Sequence, residues 1–564
     1  MRHKKKAYGA PLLLALAPAA AGWISYQESG QERPIFTDIT AEVGLDFFHE
    51  PGAEGNYVFP EIMGSGAAFL DYDNDGDLDI YLIQGGGLPE SNADSRKPNR
   101  LFQQGADGTL TDVTTESGLG DRGYGTGVAV GDIDSDGFVD VYVANVGADA
   151  LYRNEGGRFS NITERAGIRG EAYSASATFC DYDRDGFLDL YVTHYVTYDP
   201  ARECLAPDGK PDYCSPQSYS GASDVLYHND GDGTFTDVSA IAGITEVAAP
   251  GLGVICSDFN RDGWPDFYVA NDGTANQLWE NQGNGKFVDK AFFHGVAFSG
   301  MGQAEAGMGV AMGDADGDRD LEVFVTNLKD QTNTLYVNDG KWGFRDGTDA
   351  AGLAAPSLHR TGFGTGFFDF DDDGDLDIAV ANGRVYREAP LEGAGVSAFW
   401  KPYAEPNLLM ENDGSGRFRD VSELAGSFSS DVEVSRALAF GDFDKDGDLD
   451  LLLTHTGGPA RLFRNDAAKR GSWLLVRALE VGRRRDSHGA EITVTAAERE
   501  YVRVANPGFG YLSSNDPRAH FGIVGSDTAE SIRVRWPDGT LEDFPGVALN
   551  QSIVVEKGTG KKTP

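Results

Sequence analysis

One nine-residue pattern, D-x-D-x-D-G-x-x-D, recurs seven times in this chain, always between the same kinds of flanking residues. Its copies occupy 71–79 (DYDNDGDLD), 132–140 (DIDSDGFVD), 181–189 (DYDRDGFLD), 258–266 (DFNRDGWPD), 314–322 (DADGDRDLE), 369–377 (DFDDDGDLD) and 442–450 (DFDKDGDLD). Successive first Asp residues lie 49 to 77 positions apart, so the units share a core and differ in their insertions. Self-similarity on that scale indicates a propeller or a solenoid, because a single unit cannot bury its own apolar face.

The flanks repeat as faithfully as the loops. Seven and five residues before each first Asp only Gly, Ser or Ala occurs, as in Gly64/Gly66, Gly125/Gly127, Ser174/Ser176 and Ser435/Ala437. Small residues at alternate positions suit strands that crowd together, as the innermost strands of a propeller do around its axis. An apolar strand follows each loop (IYLI, VYVA, LYVT, FYVA, VFVT, IAVA, LLLT), then a third strand (RLFQQ to RLFRN) that usually leads into an Asn/Asp-Gly turn. A fourth strand of the type FTDVS ends most units. There are seven copies of the first three strands but only six of the fourth after them, and the missing copy stands at the front as Phe36-Thr37-Asp38-Ile39-Thr40. A ring closes when the N-terminal strand completes the last blade, since closure removes exposed sheet edges. The expectation is an all-β chain: a seven-bladed β-propeller over 35–468, in preference to a linear solenoid or two separate β-domains. The 74 glycines follow no Gly-X-Y period and belong to tight turns.

The loops carry hard oxygen donors at positions 1, 3, 5 and 9, a backbone carbonyl at position 7, and a glycine at position 6 that permits the sharp turn. That is the donor set of calcium, which takes six to eight oxygens at about 2.3–2.6 Å. The expected ligands are Asp71, Asp73, Asp75, Asp77 and Asp79 in the first loop, Asp132, Asp134, Asp136 and Asp140 in the second, and Asp181, Asp183, Asp185 and Asp189 in the third. They continue with Asp258, Asn260, Asp262 and Asp266, then Asp314, Asp316, Asp318 and Glu322, then Asp369, Asp371, Asp373 and Asp377, and finally Asp442, Asp444, Asp446 and Asp450. Up to seven Ca2+ ions, one per blade, are expected. The same start opens an EF-hand, but position 12 here is Leu or Val inside a strand rather than Glu, so that reading fails. Loops that make only Asx-turns without metal are the plain alternative. The fourth loop has Asn260 at position 3, which keeps an oxygen and loses a charge. The fifth has Arg319 in place of the glycine, which strains its turn and weakens its site. A polar residue thirteen places after each first Asp, from Gln84 to His455, reads as a cap on the next turn in preference to a ligand contact.

Charge supports the metal reading. The seven loops hold 32 acidic and 4 basic residues, which accounts for −28 of the formal net charge of −42. An acidic tail would lack the glycines and flanking strands. Too little basic surface exists for a nucleic-acid or anionic-membrane partner. Residues 1–26 form a targeting segment, with Arg2, Lys4, Lys5 and Lys6 before an apolar stretch from Ala10 to Ile24. It is read as a cleaved signal peptide or an uncleaved anchor, and either places the body outside the cytoplasm: secreted, periplasmic or at the cell surface. An exported chain favours a disulfide between Cys204 and Cys214, which bracket a Pro/Asp/Gly loop. Cys180 and Cys256 stand one and two residues before their first Asp, on opposite faces by strand alternation, and are expected as buried thiols.

With these repeats the chain resembles FG-GAP/VCBS-repeat proteins of the cartilage acidic protein (ASPIC/UnbV) family. The tail carries the more specific likeness in Gly510-Tyr511-Leu512-Ser513-Ser514, His520-Phe521-Gly522 and Val534-Arg535-Trp536-Pro537-Asp538-Gly539, and Pro60-Glu61-Ile62-Met63-Gly64-Ser65-Gly66 is also similar. His488-Gly489-Ala490 departs from the Ile-Gly-Ala type of that family. Read without the family, 472–557 alternates apolar and polar residues as a small β-domain, a sandwich packed beside the ring. The resemblance implies extracellular calcium-dependent binding, so the expected function is a scaffold for a protein or glycan ligand, most simply as a monomer. No H-E-x-x-H, G-x-S-x-G, C-x-x-C-H or Walker pattern occurs. The rival is a polysaccharide lyase or hydrolase that uses the ring's face or channel. Its residues are sought in the long insertions 195–223 and 383–407, with His194, Tyr195, Tyr198, Tyr213, Arg384, Tyr386, Arg387, Trp400 and Tyr403, whose aromatics read equally well as a sugar- or protein-binding face.

Overall fold

Each apolar run after an Asp loop becomes the second strand of a four-stranded antiparallel sheet, paired on one side with the Gly/Ser-rich strand and on the other with the third strand. A computed structural model describes residues 33–563 apart from 53–54, 87–95, 341–342, 481 and 483, so the targeting segment lies outside the described residues. The fourth sheet shows the plan: Gly251–Ser257, Asp266–Asn271, Gln277–Asn281 and Phe287–Asp289 pair in that order. The last sheet takes its outer strand from the front of the chain, with Phe36 opposite Asn465. The Asp loop joins the first two strands at one end of every sheet, so the insertions that follow the second strand emerge at the other end. Among the described residues no helix is long and apolar enough to cross a membrane.

The small residues of the first strands stand where neighbouring sheets touch. A Cβ on Gly127 would lie 2.2 Å from the Ala175 carbonyl, and one on Gly309 would lie 2.1 Å from that of Phe363. A register shift follows the first small residue in five sheets, between Gly125 and Val128 for example, which bends the strand at the axis.

What fills the axis comes from the C-terminal domain. That domain packs two sheets around Leu474, Val476, Ile492, Val494, Phe521, Ile532, Val534 and Trp536. Its strands run from Ser472–Glu480 to Lys561–Thr563. Between Arg499–Ala505 and Ala519–Ile523 it sends residues 506–516 into the centre of the ring. Gly510 and Val310 exchange both backbone hydrogen bonds, at 2.7 and 3.1 Å, and Ser514 does the same with the first strand of the first sheet through Ala67 and Phe69. The Tyr511 hydroxyl donates to the Met63 carbonyl at 3.0 Å while its ring meets Phe363 edge-on at 5.0 Å. Ser513 donates to Leu438 and Asn506 to Cys256. The Gly-Tyr-Leu-Ser-Ser motif is thus a plug that touches sheets all round the ring.

Two expectations are corrected here. The structure joins Cys180 to Cys256 in a disulfide, with Cα atoms 6.4 Å apart. Strand alternation does send the two side chains to opposite faces, but neighbouring blades pack face to face, so side chains that meet must leave opposite faces. Cys204 and Cys214 form a second disulfide, Cα to Cα 5.1 Å. The insertion aromatics are not an open ligand face either. Tyr195, Tyr213, Trp400 and Tyr403 are all at most 4 % exposed. They pack with Phe59 and Tyr173 over the end of the axis opposite the Asp loops. Arg384 is buried against Glu405 at 3.1 Å. These side chains close the ring, because a channel lined by apolar first strands has to be covered where the plug ends.

Truncation of the plug tip, Tyr511→Ala, is expected to lower unfolding free energy by about 3–5 kcal/mol, and Tyr511→Phe by about 1 kcal/mol, read by urea unfolding. Non-reducing peptide mapping should recover Cys180 and Cys256 in one linked pair.

Candidate metal centres

The loop backbone is the same in every copy because two residues take the left-handed conformation. Position 4 does so at Asn74, Ser135, Arg184, Arg261, Asp372 and Lys445, with φ between 56° and 63°, and position 6 at six glycines. The fifth loop keeps the path by exchanging the two: Gly317 stands at position 4 with φ 77°, and Arg319 at position 6 with φ 76°. Arg319 therefore carries the strain expected of a side chain there.

Position 9 is a staple. One oxygen accepts the backbone N–H of position 2, as Asp140 does from Ile133 at 2.9 Å, and Glu322 does so from Ala315 in the fifth loop. The other accepts the N–H of the last residue of the third strand, as from Gln104, Asn154, Asn229, Asn281, Asn412 and Asn465 at 2.7–2.9 Å and from Asn338 at 3.3 Å. That last residue then reaches the blade before it. The side-chain amide donates to the carbonyl at position 2 of the preceding loop: Asn154 to Tyr72, Asn229 to Ile133, Asn281 to Tyr182, Asn412 to Ala315 and Asn465 to Phe370. Gln104 reaches Phe443 of the last loop at 2.9 Å, and Asn338 departs from the series by donating to Leu321 of its own loop at 3.2 Å. Sequence reading missed this role, although the Asn at the end of ALYRN, VLYHN and QLWEN was its visible signal.

The remaining donors converge. One oxygen each of Asp71, Asp73 and Asp79 lie within 4.8 Å of one another, as do those of Asp132, Asp134 and Asp136, of Asp181, Asp183 and Asp189, and of Asp314, Asp316 and Glu322. In the other loops Asp266 feels Asp258 and Asp262, Asp377 feels Asp369, Asp371 and Asp373, and Asp450 feels Asp442 and Asp444. Position 5 also turns the chain: Asp75, Asp136, Asp185, Asp262, Asp318, Asp373 and Asp446 each accept the N–H two residues on. The Asn260 amide oxygen accepts from Asp262, and its nitrogen donates to the Asp262 carboxylate at 3.1 Å. Asp77 departs from expectation, since its carboxylate meets the Lys445 ammonium of the last loop.

Asx-turns alone leave oxygens unused. Asp71 Oδ1, Asp134 Oδ1, Asp181 Oδ1, Asp258 Oδ1 and Asp371 Oδ1 are buried and accept no hydrogen bond, with Asp181 only 6 % and Asp371 2 % exposed. Such groups are costly without a partner. Burial pushes the carboxyls up, to about 6 for Asp71, Asp181, Asp258 and Asp442, about 7 for Asp132 and Asp369, and about 8 for Asp79 and Asp266. Spacing, hard donors and lone oxygens together fit a dication of calcium size.

The C-terminal domain supplies part of the counter-charge. Arg477 acts on Asp71, Arg485 on Asp181, Arg535 on Asp258, Arg503 on Asp314 and Asp369, and Arg518 on Asp442. His520 stands 3.4 Å from Asp372. The polar ring thirteen residues after each first Asp caps the following turn: Asn271 donates to Ala275, Asn327 to Thr332 and Asn382 to Pro406.

Raised carboxyl pKa values make the metal-free fold prefer protons. Their favourable contribution is complete near pH 4, where the unfolded chain begins to ionise, and is lost as pH rises through about 6 to 8. In chelator the melting temperature should therefore fall between pH 5 and pH 8.5, and millimolar calcium should abolish or reverse that slope. Arg319→Gly should raise stability by about 1 kcal/mol, since the ion pair it gives up with Glu500 is exposed and worth little.

The model of the FG-GAP-like repeat matches residues 71–143, 132–192, 206–269, 258–325 and 397–453, and that of ASPIC and UnbV matches 480–562. Cartilage acidic protein 1 of Mus musculus is 28% identical over 566 residues, covering 96% of this chain and 80% of the relative. The Homo sapiens protein of that name is also 28% identical, over 94% of this chain and 75% of its own. Among solved structures, an Agrocybe aegerita protein described as recognising non-reducing terminal N-acetylglucosamine aligns over 78% of this chain and 99% of its own, at TM-score 0.35 and 13% identity. The repeats through the ring and the plug-bearing domain after them are those of one family: the chain is an FG-GAP-repeat protein of the cartilage acidic protein (ASPIC/UnbV) family.

Proposed function

We propose that the protein is an extracytoplasmic binding scaffold, a β-propeller held by up to seven calcium ions, that presents its outer surface to a protein or glycan ligand. The observation that carries the metal part is the set of buried carboxylate oxygens with no hydrogen bond, of which those of Asp71, Asp134 and Asp181 sit in loops whose carboxylate oxygens lie within 4.8 Å of one another. Calcium would be held by positions 1, 3, 5 and 9, and it would supply charge neutralisation rather than chemistry. FG-GAP repeats and the cartilage acidic protein relatives suggest an extracellular setting, where even weak sites of about 10⁻⁴–10⁻³ M fill. A scaffold is favoured over a polysaccharide-active enzyme working in the channel, because residues 506–516 fill the axis and the aromatic layer around Trp400 covers its far end. The insertions still carry exposed Tyr386, at 44 %, and half-buried Arg387, which are suited to probe a ligand face where the buried Arg384 and Trp400 are not.

Each ion bound at a hundred times its dissociation constant adds about 2.7 kcal/mol, so several ions lost together should lower the melting temperature by more than about 10 °C. Calorimetry in chelator against millimolar calcium checks this, and an unchanged melt removes the calcium reading. Binding to glycan and protein arrays in calcium, with Tyr386→Ala and Arg387→Ala as comparison, tests the scaffold. Turnover of a polysaccharide by the wild type would favour the enzyme instead.

A further inference from the structure

The third strand of every sheet ends alike, yet its fourth residue changes round the ring: Gln103, Arg153, His228, Glu280, Val337, Glu411 and Arg464. In four sheets this side chain bears directly on the Asp loop of its own sheet, or does so through one partner. Gln103 Nε2 donates to Asp73 Oδ2 at 2.6 Å. Arg153 places Nε 2.5 Å from Asp134 Oδ2 and Nη2 3.4 Å from Asp136 Oδ2. His228 Nδ1 lies 3.3 Å from Asp183 Oδ2 and 3.2 Å from Asp189 Oδ1. Glu411 holds Arg470, whose guanidinium stands 3.0 Å from Asp371 and 2.7 Å from Asp373. In the fourth sheet, whose loop carries Asn260 in place of an Asp, Glu280 lines a cavity of about 490 Å³ together with Asn260 and Asp266.

The geometry points to this fourth residue as the side chain that grades the seven loops in calcium affinity, an inference that rests on the calcium reading above. A guanidinium paired with the third and fifth carboxylates competes with a dication for the same oxygens. A neutral amide competes less, and an added carboxylate assists, because calcium affinity follows the charge of the ligand set. Loop 2, with four carboxylates and Arg153 on two of them, is then weaker than loop 1, where Gln103 stands in its place. Glu280, at the same place beside loop 4, is engaged by His294 Nε2 at 3.1 Å, so loop 4 keeps three carboxylates and the amide of Asn260. The seven near-identical loops of the sequence become a graded series, filled in order as calcium rises.

Equilibrium dialysis with metal analysis on the full chain, over a range of free calcium, tests this with calcium alone as the probe. Near-ultraviolet circular dichroism confirms that each variant is folded. Arg153→Gln should strengthen one site by about tenfold and add one bound equivalent at free calcium that leaves loop 2 unfilled in the wild type. Asp134→Asn placed on that variant should remove the gain, which assigns it to loop 2. The reciprocal exchange Gln103→Arg should take one equivalent out of the tight class. If the wild type binds several ions and neither Arg153→Gln nor Gln103→Arg alters the isotherm, the grading is wrong and the calcium reading stands. If no form binds calcium, both are wrong.

Discussion

Repulsion between carboxylates is the constraint on which the rest of the structure depends. Two like charges 5 Å apart oppose each other by about 3 kcal/mol at an effective dielectric constant of 20, and 32 acidic residues are gathered into seven loops at one end of the ring. Each loop meets this in the same way. The ninth carboxylate is buried and gives both oxygens to backbone N–H groups, so it anchors the loop to the third strand. With its neighbours at positions 1, 3 and 5 it converges on one point, where a cation would satisfy them at once. Without it, burial drives their pKa values up and the fold takes protons instead.

Neutralisation also explains why the ring and the C-terminal domain are one compact unit from Arg33 onward. The domain has as many bases as acids, yet Arg477, Arg485, Arg503, Arg518 and Arg535 act on the first Asp of every loop but the second. Docked by charge, it threads residues 506–516 down the axis, where crowded first strands leave room only for a glycine-rich backbone. A Cβ on Gly66 would meet the Leu512 carbonyl at 2.2 Å. The plug substitutes for side chains that the narrow axis cannot hold, so ring closure and domain docking are the same event.

Much of this was legible in the residues. The repeat, the strand order and the strand moved to the front follow from local pattern, because hydrophobic period and turn chemistry are properties of short segments. Cys180 and Cys256 were misread because alternation describes one sheet, and the bridge spans two. Long insertions usually lie on the surface, which makes Arg384 and Trp400 read as residues of an open face, whereas these fold inward over an apolar axis. The amide of Asn154 and its equivalents was visible as a repeated letter, but its partner is 82 residues away in the preceding blade. Arg153 carries no mark in the sequence that sets it apart, and only the folded blade brings it against Asp134.

Local sequence was therefore enough to establish a propeller built from repeated Asp loops and a β-domain after it, since each loop's acidic residues lie within nine consecutive positions. Assembly in three dimensions settled what lies between those units: the inter-blade disulfide, the amide links, the plug and the covered far end. Those contacts join residues up to several hundred positions apart, and no periodicity along the chain records which face of one blade meets which face of the next.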